Sequence, residues 1–211
     1  MVRYANSMLD HAFPDGLART QVDLQSVQHA YARLEYCFLR INRKYYVVAD
    51  HLHFDHLNGD HMASFLWFLG NTLWTEREDV DLATRLSYLN KTMHGLDLFH
   101  SVKLPDIFLL VHPVGTVIGG ASFEDYLVVY QQVTIGATDL GFPTLGSGTV
   151  MYAGSAVIGA CTVGDDVVFA AHAMLIDQDV PAGSLVLGKY PHHRIQPNTS
   201  PTIHRVFGHL S

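Results

Sequence analysis

Apolar residues recur at every sixth position through the second half of the chain. Two blocks keep this step, and they contain Val111, Val117, Phe123, Val129 and Ile135, then Met151, Val157, Val163, Phe169 and Leu175. Neither a helix, with a period of 3.6 residues, nor a single strand, with a period of two, produces such a step. Short strands that form the three sides of a triangular coil do produce it. The pattern therefore predicts a parallel β-helix of hexapeptide repeats over residues 107–190.

The two blocks of the repeat are out of phase with each other. Ile135 and Met151 are 16 residues apart, which is not a multiple of six. About four residues must therefore leave the coil, and the Gly- and Pro-containing stretch ATDLGFPTLG, residues 137–146, is expected to form that loop. An ordinary β-sandwich with accidental spacing is the alternative. Ten rungs in two phased blocks argue against it.

The first half of the chain has the helical period instead. Apolar residues follow three- and four-residue steps that predict helices over residues 24–38, 62–73 and 79–94. Asn58 or Asp60 is the expected N-cap of the second helix, and Gly95 is the expected end of the third. The leucine of the last repeat, Leu187, comes shortly after Pro181.

The predicted organisation has three parts. Residues 1–106 form a mainly helical N-terminal domain, residues 107–190 form the β-helix, and residues 191–211 form a C-terminal tail. Hydrophobic residues make up 48% of the 211 positions and charged residues 16%, which is typical of a chain that buries a core. The formal charge of −7 argues against a non-specific nucleic-acid binder, because such proteins need a basic surface.

Several features indicate a cytoplasmic protein. No run of about 18 apolar residues is present, so no membrane span is expected. The first residues, MVRYANSMLDHAFPDG, lack the apolar core of a secretory signal. The two cysteines, Cys37 and Cys161, lie far apart in apolar surroundings and are expected to be free thiols.

The stretch HLHFDHLNGDH, residues 51–61, contains four histidines and two aspartates. Its beginning matches H-x-H-x-D-H, the ligand signature of the metallo-β-lactamase fold. That fold needs further ligands downstream in an αββα sandwich, whereas the hexapeptide repeat occupies the chain after about residue 107. A dinuclear hydrolase is therefore not expected, and no metal is predicted. A polar loop of hydrogen-bonding histidines is the simplest interpretation.

Three segments resemble the hexapeptide-repeat acyltransferases. They are VHPVGTVIG at 111–119, VVYQQVTIG at 128–136 and the long run at 156–188. Within that family the chain is most similar to the serine acetyltransferase branch, over roughly residues 60–190. The resemblance implies a left-handed β-helix behind an α-helical N-terminal domain. It also implies a homotrimer with its sites between subunits, and acetyl-CoA as the acyl donor.

The resemblance implies direct acyl transfer assisted by a histidine. The histidine acts as general base on the acceptor, and backbone N–H groups hold the oxyanion. On the donor side, the family's small residues beside the pantetheine arm match Ala153, Gly154, Ala170 and Ala171. Gly136 precedes the matching loop beside the cofactor. Lys189 is placed to meet a CoA phosphate, although a solvated lysine is the commoner role for such a residue.

The acceptor side departs from the serine enzymes. Leu110 stands where they carry an aspartate two residues before the His-Pro pair. The coil that holds their Asp-His pair is shortened to residues 122–126, and residues 142–145 replace their H-P-K-I. These departures favour a saccharide acceptor, as in relatives associated with surface-polysaccharide biosynthesis, and serine is the alternative. Two other classes stay open: a γ-carbonic-anhydrase-like metalloenzyme and a non-catalytic binding protein.

The candidate base is a histidine at one of two places. His112 opens the first coil beside Pro113, where it either acts as the base or caps the coil. His61 or His56, in the loop before the second helix, could instead reach the trimer interface. Asp125 could orient a base or be a solvated turn carboxylate. The other histidines have structural interpretations: rung-edge packing for His172, and an exposed tail for His192 and His193.

Overall fold

The computed structural model describes residues 1–200 and 203–207. Its helices are α1 Val2–Ala12, α2 Leu24–Phe38, α3 Gly59–Arg77, α4 Val80–His94 and α5 Ile203–Val206. Helices α2, α3 and α4 confirm the three helices predicted from the sequence, while α1 and α5 were not predicted. Across the described residues, none of the helices has the length and apolar character needed to cross a membrane.

Side-chain caps explain where the predicted helices begin and end. Asp23, Asn58 and Asp79 each accept a backbone N–H from the first turn of α2, α3 and α4. Helix α4 ends at Gly95, whose φ of 63° is left-handed and favours glycine. Helix α3 is the central helix, since it packs against both α2 and α4. Every residue from position 61 to 73 is buried, on all sides of the helix.

The rest of the described chain is built mainly of short strands. These are β1 Val47–Val48, β2 His51–Leu52, β3 Asp97–Leu98, β4 Phe108–Val111, β5 Val117–Ile118, β6 Ser122–Phe123, β7 Leu127–Tyr130, β8 Thr134–Gly136, β9 Thr144–Leu145, β10 Val150–Met151, β11 Ala156–Ile158, β12 Thr162–Val163, β13 Val168–Phe169, β14 Met174–Ile176, β15 Ser184–Leu187 and β16 Arg194–Pro197. Strands β1 and β2 form a separate antiparallel hairpin.

The remaining strands form three sheets that are the sides of a triangular coil. The six-stranded sheet has the order β16-β15-β13-β10-β7-β4, the five-stranded sheet β14-β11-β8-β5-β3, and the three-stranded sheet β12-β9-β6. The chain passes through the three sheets in turn, and all their pairings are parallel except that of β15 with β16. The fold is a left-handed parallel β-helix of about five turns behind a helical N-terminal region, as the sequence predicts.

The buried rungs follow the predicted six-residue step from Val129 onward. Val129 pairs with Met151, which pairs with Phe169, and Ile135 pairs with Val157, which pairs with Leu175. The first two rungs differ from the prediction by one residue in opposite directions: the interior residue lies one position before Val111 and one position after Val117. Leu110 and Ile118 face the interior in place of Val111 and Val117, because the first corner, residues 112–116, is longer than its equivalent at 131–133. At the last rung the interior residue is Val186, not Leu187.

The loop between the two blocks is shorter than predicted. Leu145, placed in the loop by the sequence analysis, lies in β9, where it pairs with Phe123 and Val163 and is 1% exposed. The excess residues therefore lie between β8 and β9. There Thr138 and Gly141 close a turn through reciprocal backbone hydrogen bonds of 3.1 and 3.2 Å.

The C-terminal segment folds back onto the molecule. Strand β16 pairs antiparallel with β15, and Phe207 is buried in a bridge to Ile41, shortly after α2 in the helical region. The backbone N–H of Asn42 donates to the carbonyl oxygen of Val206 at 2.8 Å. Of the tail predicted over 191–211, residues 201–202 and 208–211 lie outside the described part. The described tail residues connect the solenoid to the helical region.

Candidate active site

One corner of the solenoid gathers most of the predicted site residues. We call it the six–five corner, since it is where the chain turns from the six-stranded into the five-stranded sheet. Strand register aligns His112, Gln131, Ala153 and Ala171 in a single row there, one residue per coil. Gly154 donates its N–H to the Gln131 carbonyl, and His172 donates to the Ala153 carbonyl, both at 2.9 Å. Neighbouring strands lie about 4.8 Å apart, so His112 and Ala171 are separated by roughly 14 Å along the corner.

A second row at the same corner has left-handed backbone in every coil. Gly115, Gln132, Gly154 and His172 have φ values of 73°, 59°, 69° and 60°. Glycine alternates with a larger residue, and the larger side chain covers the glycine of the preceding coil. A Cβ on Gly154 would lie 2.4 Å from Nδ1 of His172. Packing against His172 is therefore by itself sufficient reason for glycine at position 154.

His112 begins the first row and is paired with an aspartate from the helical region. Its backbone N–H donates to Oδ1 of Asp60 at 2.9 Å, and the same oxygen lies 3.7 Å from its Nδ1. The His112 side chain is 77% exposed, whereas that of Asp60, in the first turn of α3, is 15% exposed. Burial raises the pKa of Asp60, and the hydrogen bond from His112 opposes that shift. The corner thus presents an accessible imidazole next to a largely buried carboxyl group.

This pair is not apparent from the sequence. Asp60 is there a candidate helix cap, but the cap is Asn58, whose side chain accepts the N–H of Asp60. Asp60 and His112 are separated by 52 positions. An acidic residue in a first helical turn is common, so the sequence carries no signal of the tertiary contact.

His61, expected in a loop that reaches the acceptor, lies inside the helical region instead. It is completely buried against the rings of Phe38, Tyr46 and Phe54. Its Nδ1 accepts the backbone N–H of Asp55 at 3.2 Å, while Nε2 is buried with no hydrogen-bond partner among the described residues. Burial lowers the pKa of His61 to about 4, with a smaller contribution from His53. His61 is therefore a neutral imidazole in the core of the helical region, where a substrate on the surface cannot reach it.

The other histidines of the 51–61 stretch point to different surroundings. His51 and His53 are exposed on and after the β1–β2 hairpin, and His56 packs edge-on against Tyr4 with ring centroids 5.4 Å apart. Within residues 1–200 and 203–207, no group of three or more His, Cys, Asp or Glu side chains is arranged to hold a metal ion.

The three remaining predicted residues do not share the His112 row. Asp125 lies before β7, at a different corner, where its Oδ1 accepts the N–H of Ile107 at 3.0 Å. Gly136 lies at the far end of β8, and an added Cβ there would meet no atom within 4 Å. Lys189 is exposed just past β15, where it bridges to Met174 in the last coil.

The Asp125 contact belongs to a repeated structural series. Asp165 accepts the N–H of Ser147, Asp177 that of Ala160, and Asp179 that of Thr162, at 2.7–2.8 Å and from 17 or 18 positions away. Each carboxylate thus ties one coil to the coil before it. Asp125 makes the same tie to Ile107, 18 positions earlier.

Positions that differ from the serine enzymes have structural roles here. Leu110 is a buried rung residue, 1% exposed, and does not reach the surface of the corner. Phe142 is 63% exposed and lies over Gly120, where an added Cβ would be 3.1 Å from its ring. The Pro143 carbonyl accepts the N–H of Ser122 at 3.0 Å.

Comparison with known proteins identifies similar sequences in one group of enzymes. No family model matches the chain. It is 35% identical over 112 residues to a serine acetyltransferase of Helicobacter pylori, a match that covers 51% of the chain and 65% of the relative. It is 30% identical over 121 residues to a serine acetyltransferase of Synechococcus elongatus, covering 54% and 49%. The chain thus spans less than two thirds of the length of these curated relatives.

Solved structures of the same name share the fold. A serine acetyltransferase from Brucella abortus strain S19 superposes with a TM-score of 0.64 at 20% identity, covering 95% of the chain and 76% of that protein. A serine acetyltransferase in complex with CoA gives a TM-score of 0.64 at 20% identity, covering 90% and 74%. At this identity the likeness establishes the architecture of the helical region and the β-helix together.

Proposed function

We propose that the chain is an acetyl-CoA-dependent O-acetyltransferase with serine as its acceptor. The observation that carries the proposal is the 35% identity to the Helicobacter pylori serine acetyltransferase over half of the chain. The six–five corner adds a geometric reason. It presents the accessible His112 at one end of a row that continues through Gln131 to the small residues Ala153 and Ala171, which is an arrangement that suits an extended thioester donor and a small acceptor.

In this proposal His112 is the general base. Its exposed imidazole removes the proton from the acceptor hydroxyl as that oxygen attacks the thioester carbonyl. A C–O bond forms, the C–S bond breaks, and the CoA thiolate leaves and takes up a proton. Because a thioester is already activated, the chain needs mainly to orient the two substrates and to accept one proton. His61 is excluded from this role by its burial.

The donor is assigned to the surface along the same corner. Ala153 and Ala170 are partly exposed and Ala171 is exposed, so small side chains leave space beside two adjacent turns. Lys189, at the last coil, is positioned to meet a phosphate of the donor. Gly136 lies at a different corner, and its open surroundings fit a role facing a neighbouring subunit.

The acceptor is where the comparisons change the sequence-based expectation. The departures at Leu110 and at residues 142–145 favoured a saccharide, but the curated relatives described above are serine acetyltransferases. The structure weakens the reasoning from Leu110, because that residue faces the solenoid interior. A carboxyl group beside the histidine is supplied from α3 instead, by Asp60.

We propose further that the chain works as a homotrimer, with the six–five corner against a neighbouring solenoid. Val114 and Val117, close to His112, are 63% and 41% exposed. Exposed apolar side chains next to one another fit a contact between subunits. Light scattering coupled to size exclusion should give three times the chain mass of 23.5 kDa. The free thiols Cys37 and Cys161 fit a reducing compartment such as the cytoplasm.

The function is tested by release of CoA thiol from acetyl-CoA with L-serine, compared with a panel of monosaccharides and nucleotide sugars. Serine-dependent release that falls roughly 100-fold or more in His112→Ala, with CoA binding retained in calorimetry, is the expected result. Release with a sugar alone would overturn the serine assignment and keep O-acetyl transfer. Release with no acceptor would overturn both.

A further inference from the structure

Helix α3 contacts the first coil of the solenoid through Asp60 and His112, and this contact bears on how the proposed base is oriented. We propose that Asp60 is the positioning residue of His112, so that the helical region completes the active site of the solenoid. This inference rests on the proposed function, in which His112 is the base. In this arrangement Asp60 does not contact a substrate and acts only through His112.

The backbone contact fixes the direction of the His112 side chain. His112 has a φ of 49°, in the left-handed region that side chains other than glycine rarely adopt. This conformation turns its N–H away from the strand and toward α3, where Asp60 accepts it at 2.9 Å. The hydrogen bond to a carboxyl oxygen offsets the cost of the strained backbone. By holding this backbone conformation, Asp60 sets the direction in which the His112 side chain leaves the backbone.

The same oxygen also acts on the imidazole ring. Oδ1 of Asp60 lies 3.7 Å from Nδ1 of His112, a distance that is too long for a hydrogen bond and within ion-pair range. Contacts of this length commonly shorten when substrates bind. An Nδ1–H directed at the carboxylate leaves Nε2 free to accept the acceptor's proton, and the imidazolium that results is stabilised by the negative charge.

A comparison with α4 separates this role from ordinary helix capping. Asp81 is also an acidic residue in a first helical turn, but its side chain is 62% exposed and pairs with Arg85 in the same helix. Asp60 is 15% exposed and directed at another structural unit. Burial of a carboxyl group is costly unless a partner compensates, and His112 supplies that partner.

The experiment uses Asp60→Asn, which keeps an oxygen for the His112 N–H and removes the charge, with Asp81→Asn as the matched control. We expect Asp60→Asn to lower kcat roughly 10- to 100-fold with KM for acetyl-CoA within about threefold, and Asp81→Asn to change neither. In a His112→Ala background, Asp60→Asn should have no further effect on the residual rate. An undiminished Asp60→Asn effect in that background would overturn the inference, because it would show that Asp60 does not act through His112.

A measurement that does not depend on turnover distinguishes a failure of the Asp60–His112 pairing from a failure of the proposed acetyltransferase function. In ¹⁵N spectra of histidine-labelled protein, the ring nitrogens of His112, assigned by their loss in His112→Ala, should shift in Asp60→Asn and stay unchanged in Asp81→Asn. If the unmodified protein transfers acetyl to none of the acceptors tested, the proposed function fails. The ring signals then decide the pairing alone: a shift in Asp60→Asn supports the contact, and identical signals overturn it.

Discussion

The solenoid and the helical region place their histidines by different rules. In the solenoid each position has equivalents in the neighbouring coils, so His172 lies over Gly154 at a corner where every coil has left-handed backbone. His112 directly follows β4, the edge strand of its sheet, and its side chain projects into solvent. His61 has a unique aromatic environment and is completely buried. Repetition thus sets the backbone and exposure of His172, whereas single contacts set those of His61 and, at the edge of the solenoid, of His112.

The largest effect is expected from truncating a repeat residue that was first assigned to a loop. Leu145 is 1% exposed in β9, and Leu140, five positions earlier, is 74% exposed. Leu145→Ala should lower the free energy of unfolding by about 2–5 kcal/mol, because it leaves a cavity between two coils. Leu140→Ala should change it by less than about 0.5 kcal/mol. Urea denaturation of both variants measures the difference, and equal effects would show that the coil does not include residue 145.

The buried aromatic environment of His61, which no other coil or helix of the described chain repeats, predicts that the stability of the protein depends on pH. Its pKa falls from 6.5 to about 4 on folding because the ring is buried, so between these values the unfolded chain binds the extra proton. Stability from this group is fully present above pH 6.5 and is lost as pH falls toward 4, by about 3 kcal/mol at most.

The control for this pH dependence is a non-titrating variant. His61→Asn keeps a side-chain acceptor near the Asp55 N–H and should flatten the slope between pH 6.5 and 4. The exposed His53→Gln should leave most of the slope in place. Chemical denaturation at several pH values measures it, and an unchanged slope in His61→Asn would assign the dependence to other groups.

The same difference between the regions determines what the sequence could predict. Rungs such as Val129, Met151 and Phe169 were predictable because parallel pairing enforces one spacing in every coil. Val117 was predicted in place of Ile118, one residue too early, because the extra length of the first corner has no counterpart in later coils. The pairing of Asp60 with His112 depends on how α3 packs against β4, which no local pattern encodes.

A smaller effect is expected from removing the glycine beneath His172. In Gly154→Ala the new Cβ would lie 2.4 Å from the His172 ring, in addition to the cost of left-handed backbone for alanine. The substitution should be partly rescued by His172→Ala, with an interaction energy of about 2 kcal/mol in a double-mutant cycle. Thermal or urea unfolding of the four proteins measures this energy. Additive effects would show that the corner row is not coupled from coil to coil.

The smallest expected effect on stability is that of removing Asp125. This aspartate is the candidate that the sequence suggests for the site, whereas Asp60 is the one that the structure places beside His112. Asp125 makes the same coil-to-coil tie as Asp165 and Asp177, whereas Asp60 faces His112. Asp125→Ala should therefore lower the free energy of unfolding by about 1 kcal/mol, since it removes the acceptor of the Ile107 N–H. Its kcat per folded molecule should stay within about twofold of the unmodified protein, because no contact joins Asp125 to His112 among the described residues. A loss of turnover as large as that of Asp60→Asn, at unchanged stability, would assign a catalytic role to Asp125 and remove the distinction between a repeated tie and a single contact.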